Sequence, residues 1–400
     1  MVAAMMWRDG QVLALRRTWG AAGRRCAELE ARLTRAPDGA ARLLPGHRID
    51  AVAYESLTGV PGIGELVRLE VSALDRGLGT GGHAMVTARL NVLPEDPPRQ
   101  GHLVKVRYMP DQVMVTGVDE QDTPHHRLLA APLGELTLAG APVIVADLHS
   151  SLPAILAGLG SPLPAGGSGI EPAEPLPRTV YVMSDGGALP LPYSRTVAAL
   201  RDRGWLAGTV TAGQAWGGDV EAVSVHNALL AARHVLGAQV VVLIQGPGNL
   251  GTDTPWGFSG VACGDAINAI DTLGGRAVAC LRVSQADPRP RHRGVSHHSM
   301  TAYSQVALAG ADVVVPDLGG DLGIQVREQA QQICSPRERG KRHRLVEVPL
   351  GGLMEALHRT EAATGVRLST MGRSLEADPA AFLAAAAAGR HARALLEDGL

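Results

Sequence analysis

The densest chemistry in this chain lies in Ser284–Ser299, SQADPRPRHRGVSHHS, which gathers Asp287, Arg289, Arg291, Arg293, His292, His297 and His298. Imidazole moves protons near neutral pH and ligates metals. Guanidinium recognises planar anions through paired N–H donors. Groups this polar are costly to desolvate unless paired, so the stretch belongs at a surface or a polar cleft. Three readings fit it. In one, a divalent metal is held by His292 and by His297 or His298, with Asp287 or Asp185 as a carboxylate. In the second, Arg289, Arg291 and Arg293 clamp a small anion while one histidine acts as acid or base. In the third, the loop is salt-bridged and seals a domain or subunit interface. Neither HExxH nor another standard zinc spacing occurs, so a metal would need partners from other loops. Neighbouring histidines in an extended segment point opposite ways, so only one of His297 and His298 need face a site.

The elements that must position these groups follow from the apolar runs. PVIVAD (Pro142–Asp147), TVYVM (Thr179–Met183), Leu206–Val210, QVVVLI (Gln239–Ile244), RAVACLRV (Arg276–Val283) and DVVV (Asp312–Val315) read as buried strands. Helical patterns separate most of them, at Tyr193–Arg203, Asp219–Leu236, Val261–Leu273 and Ser299–Leu308. Asp219 is expected to cap the second of these. Continuous apolar strands alternating with helices predict an α/β domain with a doubly wound, mostly parallel, Rossmann-like sheet. Its expected extent is residues 141–400, with a Gly/Pro-rich loop at 158–177 and a helical tail at 378–397. Residues 1–140 hold short β-type runs broken by Gly and Pro, which predicts a β-rich barrel or sandwich domain.

The helix-to-strand turns are plain, whereas the strand-to-helix turns carry the unusual residues. In a parallel sheet those turns share the carboxyl edge, where open α/β sheets bind ligands. The candidates are therefore His292, His297, His298 and Asp185 for catalysis. For ligand binding they are Ser184, Gly186, Gly187, Gly246, Gly248, Gly251, Thr252, Arg289, Arg291 and His149. The GPGNLGTDT loop could cradle an anion with its backbone N–H groups or be an ordinary turn. It lacks the GK[ST] ending of a Walker loop and the GxGxxG spacing of a dinucleotide site. His149 and Ser150 adjoin, but no GxSxG elbow accompanies them.

Net charge of −2 and 3% aromatics argue against nucleic acid and anionic membranes as partners. The cysteines Cys26, Cys263, Cys280 and Cys334 form no CxxC pair and suit reduced thiols. No long apolar run is present, so a soluble cytoplasmic protein is expected.

GLGTGG, YVMSDGGALP, GTVTAGQAWGGDVEAV, GPGNLGTDTPWGFSG and DPRPRHRGVSHHS together resemble an uncharacterised bacterial family, domain of unknown function 3866. The resemblance spans about Met1 to Pro316 and is less clear beyond. It implies an intracellular bacterial protein with no established activity, and glycine more often at the Asp253 position. The leading expectation is an enzyme, a hydrolase or group transferase, acting on a small anionic metabolite. Its cofactor is unspecified, a divalent metal being one option. A non-catalytic metabolite-binding or regulatory protein is the first alternative. A homo-oligomer with the Arg/His loop at its interface is the second.

Overall fold

The computed structural model describes residues 5–161, 175–336, 340 and 342–397. Residues 162–174, the middle of the Gly/Pro-rich stretch, lie outside the described residues. The chain divides into two compact units, residues 1–115 with 192–198 and residues 116–191 with 199–400.

In the first unit five strands close into a barrel. They are β1 (Trp7–Trp19), β2 (Cys26–Arg35), β3 (Arg48–Tyr54), β4 (Leu66–Glu70) and β5 (His83–Arg89). Their order is β1-β2-β3-β5-β4, with β4 pairing back onto β1 and a parallel pair between β3 and β5. Alternation fills the interior: Ala27, Leu29, Ala31 and Leu33 of β2 are buried, while Arg32 and Thr34, on the other face near its end, are exposed. The GLGTGG turn ahead of β5 is held by Tyr193, whose hydroxyl donates to the Thr80 carbonyl at 3.0 Å. Gly81 sits beside that hydroxyl at φ +63°, where a Cβ would come within 2.6 Å of it.

The second unit is built on an eight-stranded sheet. Its strands are β6 (Pro142–Ala146), β7 (Thr179–Ser184), β8 (Gly208–Ala212), β9 (Val220–Ala222), β10 (Val240–Gln245), β11 (Arg276–Cys280), β12 (Asp312–Pro316) and β13 (Arg344–Val348). All neighbours are parallel, in the order β9-β8-β7-β10-β6-β11-β12-β13. Every residue of β6, β8 and β10 is buried, as a sheet covered on both faces requires.

The chain runs from β6 outward to β9, returns to β10 beside β6, and continues outward to β13 on the other side. Right-handed crossovers made in opposite directions place their helices on opposite faces. Helices α1 (Leu152–Leu159), α2 (Val225–His234), α3 (Ala262–Thr272), α4 (His297–Thr301), α5 (Gly320–Ile333), α6 (Leu353–Thr364) and α7 (Pro379–Glu397) follow in chain order. Helix α1 packs with α6 and α7 on one face, and α2 meets α3 on the other. The α1–α7 contact is unusually close. A Cβ on Gly158 would lie 1.8 Å from the Ala386 carbonyl oxygen, and one on Gly389 would lie 2.0 Å from that of Ile155. The five alanines Ala384–Ala388, legible in the sequence only as helix formers, are all buried between α1 and the sheet.

Several expected elements differ in extent or kind. Residues 219–236 are not one helix: Val220–Ala222 adds the edge strand β9, and α2 starts after Ser224, whose Oγ accepts the Asn227 N–H. Asp219 therefore caps nothing; its carboxylate accepts from the backbone N–H and the hydroxyl of Thr209. The helix expected at 299–308 starts earlier, at His297, and ends in a π-helical turn over Ala302–Val306. Among the described residues no helix is long and apolar enough to cross a membrane.

Candidate functional site

Strand β10 lies between β7 and β6. The connections leaving β6 and β7 run toward one edge of the sheet and the one leaving β10 runs toward the other, so the carboxyl end of β10 is a topological switch point. The loops that meet there begin at Asp147, Asp185 and Gly246.

After β11 the chain forms an arm, Leu281–Ser296. A two-residue antiparallel ladder, Val283–Ser284 with Gly294–Val295, pinches its base. The return brings His292 beside the start of α4. Ser296 is the N-cap of that helix: its Oγ accepts the His298 N–H at 3.2 Å and lies 2.7 Å from His292 Nδ1. His297 and His298 occupy the first turn of a helix rather than an extended segment. Successive helical residues are about 100° apart, not opposed, and both join His292. One ring nitrogen from each of the three lies within 4.8 Å of the others.

The surroundings fix the rings. His298 stacks on Phe258, with centroids 3.9 Å apart and planes within 2°. Its Nδ1 lies 3.2 Å from an Arg282 NH1 and 3.6 Å from Asp147 Oδ2. His297 Nε2 and Arg291 Nε are buried without a hydrogen-bond partner. Burial, then the nearby Arg282 and Arg289 charges, push His292 down to about 3. Burial, then His298 and Arg291, also lower His297. Both rings are therefore neutral at pH 7, the form that ligates metal. Burial works to raise the Asp147 carboxyl, but His298 and Arg282 outweigh it and hold it below the usual carboxylate range.

Of the arginines and acids predicted beside these rings, several are engaged elsewhere. Asp287 is fully buried and accepts from Arg289 Nε and NH2, each at 2.9 Å, and from Arg373 NH2 at 3.1 Å. Those guanidinium groups hold its carboxyl well below the usual range, Arg289 contributing most. Asp287 and Arg289 are thus spent on each other and brace the arm, and Asp287 is no member of the histidine group. Arg373 also reaches buried Asp378, which takes the Ser284 hydroxyl and the Gln285 N–H. Arg291 reaches out of the arm to pair with Asp253 in the loop after β10. Asp253 stands at φ +69°, a left-handed conformation that glycine adopts freely. The resemblance implied glycine there, and the backbone supplies the reason.

The glycine loops also resolve into distinct roles. A Cβ on Gly187 would lie 2.1 Å from the Gly246 oxygen, and one on Gly246 would lie 2.1 Å from the Ala188 oxygen. A Cβ on Gly186 would fall 2.2 Å from Gln245 Oε1. These three glycines let the loops after β7 and β10 pack on each other. Beyond Gly248, at φ +82°, the chain makes a small exposed lobe closed by the Gly251–Phe258 bridge and the Thr252 N–H to Gly257 carbonyl bond of 2.8 Å. Asp185, adjoining Ser184, is exposed and accepts the Gln214 N–H at 2.9 Å. His149 shares a 2.9 Å hydrogen bond with the Tyr181 hydroxyl, and burial lowers it to about 4. Neither residue belongs to the histidine group.

Sequence reasoning missed Arg282, Ser296, Phe258 and Gln245. Arg282 was read as part of an apolar strand that the structure ends at Cys280. Ser296, two residues before His298, could have been found as a cap signal in SHH. All four cysteines are buried and free. Burial raises the thiols of Cys26 and Cys280 to about 12, which leaves them unreactive.

No curated protein matches the chain. A family model described as "Protein of unknown function (DUF3866)" matches residues 50–389, taking in β3 to β5 of the barrel, the whole parallel sheet and the histidine arm. With most of its length and every loop of the site inside that match, the chain belongs to this family.

Proposed function

We propose that His292, His297 and His298 form a divalent-metal centre, and that the protein is a hydrolase or group transferase acting on a small anionic molecule. One observation carries the reading: three imidazoles converge within 4.8 Å, two of them held neutral by burial, and one of those two keeps a buried Nε2 with no partner. A buried polar atom left unpaired costs free energy that a metal or ligand would recover. The outer groups suit the reading as well. Ser296 beside His292 and Asp147 beside His298 stand where metal-ligating histidines find the partners that orient them. A metal held by three histidines would keep a position open and lower the pKa of bound water to about 7. Arg291 Nε–H, buried and unpaired, is a donor for an anionic oxygen.

The proton on His298 discriminates this reading from metal-free binding of the anion. If Nδ1–H donates to Asp147, Nε2 is free to ligate. If Arg282 donates to Nδ1, the proton sits on Nε2 and that nitrogen cannot. Asp287 is met by Arg289 within the arm and by Arg373 of the same chain, which favours a site over a subunit interface.

Metal analysis after loading with Mn²⁺, Co²⁺, Ni²⁺ or Zn²⁺ tests the centre. About one equivalent per chain is expected, lost in His297→Ala and His298→Ala. A folded wild-type protein that retains none of these ions would overturn it.

A further inference from the structure

On the α2 and α3 face of the sheet, beside β6, β7 and β10, lies a cavity of about 330 Å³ that none of the three histidines lines. Its walls are short and apolar: Val145 and Leu243 from the sheet, Cys263, Ala266 and Ala269 from α3. Its exposed titratable groups are the carboxylates of Asp185 and Asp265 and the single imidazole of His226. Gln245, 4% exposed, also lines it. The Gln245 Nε2 donates to the Asp147 carbonyl at 3.1 Å. A carbonyl only accepts, so this bond fixes which end of the amide is which. The remaining atom, Oε1, is a buried acceptor with no partner.

We propose that this cavity binds a flat, mostly apolar heterocycle of nucleobase size that carries an N–H donor, and that Gln245 Oε1 receives that donor. Each part of the class follows from the lining. Alanines leave a shallow apolar slot, and the volume stands at the small end of ligand sites. A purely apolar occupant would leave Oε1 unpaired. An anion in the cavity would meet Asp185 and Asp265. The cavity is linked to the histidine group through Asp147, whose carbonyl holds Gln245 and whose carboxylate faces His298, and through the segment from Phe258, stacked on His298, to Gly260 in the cavity wall. The inference does not depend on a metal being there.

Calorimetric titration of the full chain with adenosine, cytidine, guanosine and uridine tests it. Purine riboside and pyrimidinone riboside serve as counterparts that lack any base-edge N–H donor. At least one nucleoside is expected to bind more tightly than about 1 mM, and its counterpart without the N–H about tenfold more weakly. Ala266→Leu, which fills the slot from α3, is expected to abolish binding while metal content stays as in the wild type. Ala269→Leu is the second variant should Ala266→Leu not fold. The proposal is overturned if no nucleoside binds, if the analogues without an N–H donor bind equally well, or if a folded slot-filled variant still binds. Nucleoside binding retained in metal-free His297→Ala would show the cavity correct apart from the metal reading. Metal bound by a chain that takes no nucleoside would show the reverse.

Discussion

The Ser296 hydroxyl serves two neighbours at once, the His292 ring and the first turn of α4. Ser296→Ala should therefore weaken metal binding about 10–100-fold and also cost about 0.5–2 kcal/mol of stability as a lost cap. Competition with a chelator and urea unfolding measure the two effects separately. His149 behaves differently. Burial lowers its folded pKa to about 4, whereas the unfolded ring protonates near its ordinary value of 6.5. Its folded pKa is depressed, so protons bind the unfolded chain first and stability falls as pH drops from about 6.5 to 4. His149→Gln should recover roughly 1–3 kcal/mol of that loss, read as a flatter pH dependence of the unfolding midpoint. The glycines make a paired test. Gly246→Ala, aimed at the Ala188 oxygen, should cost more than about 2 kcal/mol. Gly248→Ala, at positive φ but in open space, should cost about 1 kcal/mol. Residue types announced the histidines, but nothing in the spelling of Gly186, Gly187 and Gly246 distinguishes a glycine that cradles an anion from one that lets two loops touch. That difference lies in which carbonyl faces the missing Cβ, and it needs the fold.

At the scale of elements, the arm Leu281–Ser296 is anchored at its base by Leu281, Val283 and Val295 in the apolar core and held further out by carboxylates. Arg373 joins buried Asp287 to buried Asp378, and Arg373→Ala strips a cation from both. Loss of about 3–5 kcal/mol is expected, measured by chemical denaturation. The Asp287 carboxyl is held far below its unfolded value, so its contribution is complete above about pH 5 and is lost as pH falls below about 4. The variant should lose part of that acid-dependent stability. The same scale shows where patterns mislead. The sequence CAELEARLTR of β2 is rich in helix formers, and only its strict alternation of Ala27, Leu29, Ala31 and Leu33 betrays a strand. Barrel closure overrides propensity there. The run after Gly218 failed in the opposite direction: Asp219 resembles a helix cap, yet Val220–Ala222 pairs with β8 while Glu221 accepts the Thr211 hydroxyl. The long apolar strands β6, β10 and β12 were legible because a sheet buried on both faces tolerates little else.

At the scale of the larger unit, strand order does what no motif can. The return of the chain to β10 beside β6 brings Gln245 under the Asp147 carbonyl and Phe258 onto His298. Alternating strands and helices made the parallel sheet and its carboxyl edge readable, but not which loops would be neighbours. Helix α7 completes the same unit. Gly389→Leu would drive a side chain into the Ile155 carbonyl and should leave little folded protein, measurable as soluble yield and loss of a cooperative melt.

That crossing of α1 and α7 also orders events in time. All eight residues of α1 are buried, and its closest partner lies more than two hundred positions later in the sequence. On the ribosome, chain emerges at about 5–20 residues per second, so α1 waits on the order of ten seconds or more with its apolar surface uncovered. The sheet can begin to pair during that interval, but it cannot be sealed. Production of this protein in a cell should therefore draw on chaperones that shield exposed helices, and depletion of those chaperones should harm it more than a small-residue substitution on its surface would.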